Sequence, residues 1–212
     1  MDKNQKEAFE ITCKRFNECL NNFSQFKTEK EVKNFLEKDL IVSFPTIVAS
    51  GQGASLPHYD GEKKLEKGFC VLDFGILHEG ICTDVSRTIY IGKPSKEEIS
   101  LYNYLLYEHK KCLKKVKLNS NARYIEKSLR KRLKEKNKLF IHSLSHGLGN
   151  VVHEPLPKRL KKLDLITIEP GFYKKDEFGI RIEDDVYINE EGKPEILTKK
   201  IPKQLIILEK PL

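Results

Sequence analysis

Val71-Leu72-Asp73-Phe74-Gly75 runs on to Gly80-Ile81-Cys82-Thr83-Asp84, and the pattern returns as Thr167-Ile168-Glu169-Pro170-Gly171 running on to Gly179-Ile180-Arg181-Ile182-Glu183. Both copies read acid-x-Gly, a turn, then Gly-Ile-x-x-acid. Each predicts a β-hairpin with one carboxylate on each strand, and His78-Glu79-Gly80 is the turn of the first copy. All four acids fall inside otherwise apolar strands. Two such hairpins related by an approximate twofold would bring the four carboxylates together. Helical patterns ahead of each hairpin fit a duplicated α/β unit.

An ionised carboxylate among apolar neighbours costs several kcal/mol or takes up a proton. Four that converge repel one another, and one or two bound cations remove the conflict directly. The ordinary alternative pairs each acid with a nearby base, such as Asp84 with Arg87 or Glu183 with Arg181. The repetition favours the cation. Three histidines, His142, His146 and His153, fall within twelve residues beside Gly147 and Gly149. Such a cluster points to function. His78 in a turn and His109 on a helix face read as ordinary structural residues.

Around these hairpins, apolar spacing predicts a helix over 5–23 and a second helix bearing Val32, Phe35 and Leu36, opened by a capping box at Thr28 and Glu31. Pro94-Ser95 opens a long helix, and another runs from Asn121 to Lys136 with Ile125, Leu129 and Leu133 inward. Strands are expected at 41–49, 69–77, 81–91, 139–144, 151–153, 165–172, 179–188 and 204–209. No linker or low-complexity tract interrupts the chain, so one domain is expected, with a helix in 1–27 packing on a body of 28–212.

The 212 residues suffice for a core, and 39% hydrophobic with 33% charged residues is a globular composition. No apolar run has the length of a membrane span, and the first residues lack the apolar stretch of a secretory signal, so a cytoplasmic protein is expected. Five cysteines without a CxxC pair argue for buried thiols rather than disulfides or a zinc knuckle. The net charge is +8, and Lys110 to Lys138 holds 13 Lys or Arg against two Glu. Contact with nucleic acid through 110–138 is one reading. A solvated helix face is favoured, because no base-stacking aromatic motif accompanies the charge.

These motifs, with Thr83-Asp84-Val85-Ser86-Arg87-Thr88, Ser145-His146-Gly147-Leu148-Gly149, Val152-His153-Glu154 and Arg181-Ile182-Glu183-Asp184, resemble the pita-bread-fold metallopeptidases: methionine aminopeptidase, aminopeptidase P and prolidase. The likeness spans roughly residues 28–210. It implies an α/β (α+β) pita-bread fold, a pseudo-twofold pair of α/β units with a curved, mostly antiparallel sheet covered by helices. It assigns metal ligation to Asp73, Asp84, His146, Glu169 and Glu183, with Asp84 and Glu183 bridging two divalent ions. The oxygen-rich set favours Mn²⁺, with Co²⁺, Fe²⁺ and Zn²⁺ as alternatives.

Phe44-Pro45-Thr46-Ile47-Val48-Ala49-Ser50-Gly51 leading to Pro57-His58-Tyr59, and the context of His142, look like the proline-specific branch. The resemblance then implies hydrolysis of an Xaa-Pro bond, at a peptide N-terminus or in a dipeptide, by a hydroxide shared between the ions. Glu169 would move the proton, His58 and His153 would stabilise the tetrahedral intermediate, and His58, His142 and His153 would line the substrate pocket. Arg181 would hold Asp84 in orientation. Relatives usually carry a separate N-terminal domain. Only residues 1–27 precede the matched region here, so a chain lacking that domain is expected. A methionine aminopeptidase-like or other C–N hydrolase, and a non-catalytic peptide- or RNA-binding module, are the competing functions. A homodimer is an open assembly.

Overall fold

A computed structural model describes residues 1–208. Helix α1 (Lys3–Asn22) begins where Asp2 and Gln5 cap each other reciprocally. The same device opens α2 (Glu29–Glu37) at Thr28 and Glu31, as the sequence predicts, and α3 (Lys96–Leu113) at Ser95 and Glu98. Each box satisfies backbone donors that the first helical turn leaves unpaired. Asn121 caps α4 (Ala122–Leu133). Its α-helical path stops short of the expected Lys136 because Lys134 takes a positive φ of 51°, and a 3-10 turn covers Lys134–Leu139.

The two sequence copies share one layout. In the first, β1 (Ile47–Ser50) pairs with β2 (Gly68–Phe74). The chain then makes the short hairpin β3 (Leu77–His78) and β4 (Ile81–Cys82), and β5 (Val85–Ile91) returns antiparallel along β2. In the second, β6 (Leu165–Ile168) leads to the short hairpin β7 (Gly171–Lys174) and β8 (Phe178–Arg181), and β9 (Asp184–Ile188) returns antiparallel along β6. The added strands are β10 (Pro194–Ile196), antiparallel on β9, and β11 (Ile207–Leu208), parallel on β5. The architecture is the expected α/β arrangement with mostly antiparallel sheets.

One detail corrects the sequence reading. Asp84 and Glu183 do not lie within strands. They sit in the two-residue breaks Thr83-Asp84 and Ile182-Glu183, between each short hairpin and its return strand, and Glu169 lies just past the end of β6. Leaving the ladder frees these residues from the strict alternation of faces that a strand imposes.

Each copy has its own core. Phe16, Val32 and Leu36 from α1 and α2 pack on Val48, Leu72, Phe74 and Ile89. Tyr102, Leu105 and Leu129 from α3 and α4 pack on Ile166, Ile168, Phe172 and Ile180. Burying each such side chain contributes about 1.5–3 kcal/mol. All five cysteines are buried free thiols.

The expected strands at 139–144 and 151–153 are irregular, and β10 was not anticipated. Residues 144–148 run along β6 instead, bonded to it at Leu165, Thr167 and Glu169. Strand 41–49 is reduced to β1, and 204–209 to β11, residue 209 lying outside the described residues.

The turn after β2 is tight. A Cβ on Gly75 would lie 1.8 Å from the Thr83 backbone oxygen and 2.5 Å from Ser43 Oγ. Gly75→Ala should therefore destabilise the fold by about 3 kcal/mol, read as a lower denaturant midpoint at unchanged m-value.

Candidate metal centre

Five sequence positions converge on one cavity of about 370 Å³, whose wall includes Asp73, Asp84, His146, Glu169 and Glu183. Asp73 comes from β2, and Asp84 and Glu183 from the two strand breaks. His146 stands on the irregular segment beside β6, held there because Thr167 N–H donates to the His146 carbonyl at 3.0 Å and Glu169 N–H to the Leu144 carbonyl at 2.9 Å. His146 Nε2 lies 3.6 Å from Asp84 Oδ2 and 3.5 Å from Glu169 Oε1. One ligand atom each from Asp84, His146 and Glu183 all fall within 4.8 Å of one another.

His58 and His153 are exposed on the cavity wall, and the His153 ring meets that of His146 edge-on with centroids 4.5 Å apart. His142 lies behind Glu169, its Nδ1 3.7 Å from Glu169 Oε2 and its ring against Tyr173.

Two arginines frame the acids from different sides. Arg181 Nη2 donates to Asp73 Oδ2 at 2.6 Å, Nη1 to Tyr173 Oη at 2.8 Å, and Nε to Ser86 Oγ at 2.7 Å. Its carboxylate partner is thus Asp73 rather than the expected Asp84. The cause is register. Thr88 Oγ1 on β5 bonds both the N–H and the carbonyl of Arg181, which sets the end of β8 over Ser86 and Asp73. Arg87, one residue from Ser86 on a strand, faces the other way. It pairs with Asp184 at 2.8 Å and donates to the carbonyls of Ser86 and Glu183, so no Arg87–Asp84 pair forms.

Ser86 and Tyr173 were not singled out from the sequence, nor was Asp185, which accepts the Asp84 N–H. Hairpin register was the available signal for Ser86, which is paired directly opposite Asp73. Its hydroxyl lies 2.7 Å from Asp73 Oδ1 and 2.8 Å from Glu183 Oε2, and one proton cannot serve both at once.

Asp84 Oδ1 and Glu183 Oε1 are buried without a hydrogen-bond partner. Burial, then the charges of Glu183 and Asp73, pushes the Asp84 carboxyl well above the usual range. Burial and Glu183 do the same to Glu169, and burial and Asp73 raise Glu183 to about 8. Burial lowers the His146 imidazole, keeping it a neutral donor. Carboxyl oxygens left without a partner beside a neutral imidazole suit hard divalent cations, which would replace the protons held there.

The metal-free protein binds the Glu183 proton more tightly than its unfolded chain does. That contribution to stability is present below about 4.5 and is lost as pH rises towards about 8. In EDTA, the melting temperature of the wild type should fall relative to that of Glu183→Gln across that interval. Added Mn²⁺ should raise the wild-type melting temperature more at pH 8 than at pH 6, and that of Glu183→Gln far less, as calorimetry would read.

The sequence profile described as metallopeptidase family M24 matches residues 3–190. An uncharacterized peptidase of Methanocaldococcus jannaschii is 35% identical, the match covering 88% of this chain and 59% of the relative. Among solved structures, an Xaa-Pro dipeptidase from Bacillus anthracis superposes with a TM-score of 0.86 at 36% identity, and an X-Pro aminopeptidase from Thermotoga maritima MSB8 with 0.87 at 35%. Each match covers 97% of this chain and 62% of the solved one. The chain spans about three fifths of the length of these relatives. With the profile matched from the first helix through Glu183, the chain belongs to metallopeptidase family M24.

Proposed function

We propose that this chain carries the catalytic unit of a dinuclear-metal exopeptidase that hydrolyses the Xaa-Pro bond at a peptide N-terminus or in a dipeptide. The observation that carries the reading is the convergence of Asp73, Asp84, His146, Glu169 and Glu183 on one cavity, with buried carboxylate oxygens left unpaired. The Xaa-Pro dipeptidase and X-Pro aminopeptidase among the similar structures support the choice of bond. All five residues would hold the ions, and Mn²⁺ suits the oxygen-rich set. When bound, the ions lower the pKa of a shared water and polarise the substrate carbonyl.

The remaining work falls to the protein. Glu169, the most exposed of the four carboxylates, would take the proton of the attacking water and pass it to the leaving nitrogen. His153 and His58 would donate to the developing oxyanion and hold the substrate backbone. His142, against Glu169 and Tyr173, would support the substrate pocket from behind. Arg181 anchors Asp73 and Ser86, so it would maintain the position of the acids. Phe44, Pro45, Ile47 and Val152 supply an apolar wall for a proline ring. Five unpaired thiols suit a reducing compartment such as the cytoplasm.

The test is turnover of Ala-Pro, Xaa-Pro-Xaa and Met-Ala peptides by the Mn²⁺-loaded protein. Cleavage of the proline peptides, abolished by EDTA and restored by Mn²⁺, is expected. Cleavage of Met-Ala alone would replace this reading with a methionine aminopeptidase, and no cleavage with any divalent metal would sink it. Glu183→Ala should lower kcat/KM on the order of a thousandfold and reduce bound metal measured by mass spectrometry.

A further inference from the structure

Behind the wall that bears His58 stands a carboxylate the mechanism does not use. Glu29, the first residue of α2, has no solvent exposure. Its Oε1 accepts from the backbone N–H and the hydroxyl of Ser50, both at 2.8 Å. Its Oε2 accepts from Tyr59 Oη at 2.9 Å and Lys63 N–H at 3.1 Å. Four neutral donors thus satisfy a buried anion at the positive end of a helix. Loss of any one leaves charge less compensated, so the donors are held firmly.

These donors come from separate pieces of the cavity wall. Ser50 ends β1, the strand that places Ile47 opposite Asp73. Tyr59 lines the cavity and directly follows His58. Lys63 lies farther along the same loop, which is zipped to the start of α2 by Glu29 N–H to the Lys63 carbonyl at 2.8 Å and Leu65 N–H to the Lys27 carbonyl at 2.9 Å. The Tyr59 ring is also clamped by its own neighbours. A Cβ on Gly53 would come within 2.8 Å of the ring, and one on Gly61 within 2.0 Å of its hydroxyl. Between Leu56 and Tyr59 the chain is otherwise outside any strand or helix, and His58 itself is exposed. Two contacts therefore order the His58 segment: Arg181 Nη1 donates to the Pro57 carbonyl at 3.3 Å on one side, and the anchored tyrosine holds it on the other.

We propose that Tyr59, held by Glu29, is a positioning residue that presents His58 to the substrate. The inference rests on the peptidase reading for its kinetic part only. It assigns α2 a role in the site although no residue of that helix lines the cavity. The hydroxyl of Tyr59 acts away from the substrate, on Glu29, while its ring faces the cavity.

Tyr59→Phe keeps the ring and removes the anchor. In the Mn²⁺-loaded full chain it should lower kcat/KM for an Ala-Pro peptide about tenfold, with metal content near wild type and a melting temperature lower by only a few degrees. His58→Ala should lower kcat/KM as well, and Tyr59→Phe should add nothing on the His58→Ala background, because one acts through the other. Independent losses in the double variant, or a wild-type kcat/KM in Tyr59→Phe, would overturn the proposal. Amide hydrogen exchange of the metal-loaded protein supplies a readout that needs no turnover. Exchange in 57–65 should quicken in Tyr59→Phe while that of β2 and β5 stays unchanged. Should the wild type cleave no peptide, the peptidase reading fails, and unchanged exchange in 57–65 would then refute the anchor separately.

Discussion

Mutual repulsion among buried carboxylates governs this molecule. Asp73, Asp84, Glu183 and Asp185 are all nearly inaccessible to water, with Glu169 at their edge. In a low-dielectric interior such a group can exist only through protons, cations or directed donors. The protein uses donors where it can. Arg181 and Ser86 serve Asp73, and Arg87, His109 and Lys203 surround Asp184. Burial pushes the His109 imidazole down to about 4, and against the opposing effect of burial Arg87, then His109 and Lys203, hold the Asp184 carboxyl below its usual range. Asp84, Glu183 and Asp185 are left each with one oxygen unpaired, and the first two line the cavity. The chain thus compensates Asp73 and Asp184 with directed donors and leaves oxygens of Asp84 and Glu183 bare at the cavity.

That division explains which parts were legible in the sequence. The carboxylates were visible because each violates the apolar pattern of its segment, and the violation repeats. Helix starts at Thr28 and Ser95 were visible because capping is local chemistry between residues three apart. The partners of the charges were not visible in the same way. Arg181 meets Asp73, and Ser86 meets Glu183, across the junction of the two copies, so their pairing depends on how one copy is laid against the other. Residues 139–144 and 151–153 misled for a related reason. Their apolar spacing suits an extended chain, and 144–148 do run beside β6, but the bonds are too irregular to form a ladder. Glu29 was read only as part of a capped helix, since nothing in its neighbourhood reveals four donors gathered from residues 50, 59 and 63.

The basic stretch had the opposite fate. Arg130 and Arg132, inside the segment that suggested an acidic partner, are engaged inward. Arg130 holds Glu126 and the carbonyls of Phe140 and His142, and Arg132 holds the buried Glu108. Part of the charge excess is therefore structural. It ties α4 to the segment that leads into His142 and His146.

Arg87 also draws in the far end of the chain. Besides Asp184 it reaches the carbonyls of Thr198, Ile201 and Pro202, while β11 lies parallel to β5. At the opposite end, Thr12 of α1 bonds Thr83 beside Asp84. Nearly every contact that shapes the centre joins residues remote in sequence, which marks a high contact order and a slow search for the native arrangement. No fragment released early from a ribosome holds a finished site. Only when the segment around residue 200 has closed over Arg87 does the support behind Asp184 gain all its partners.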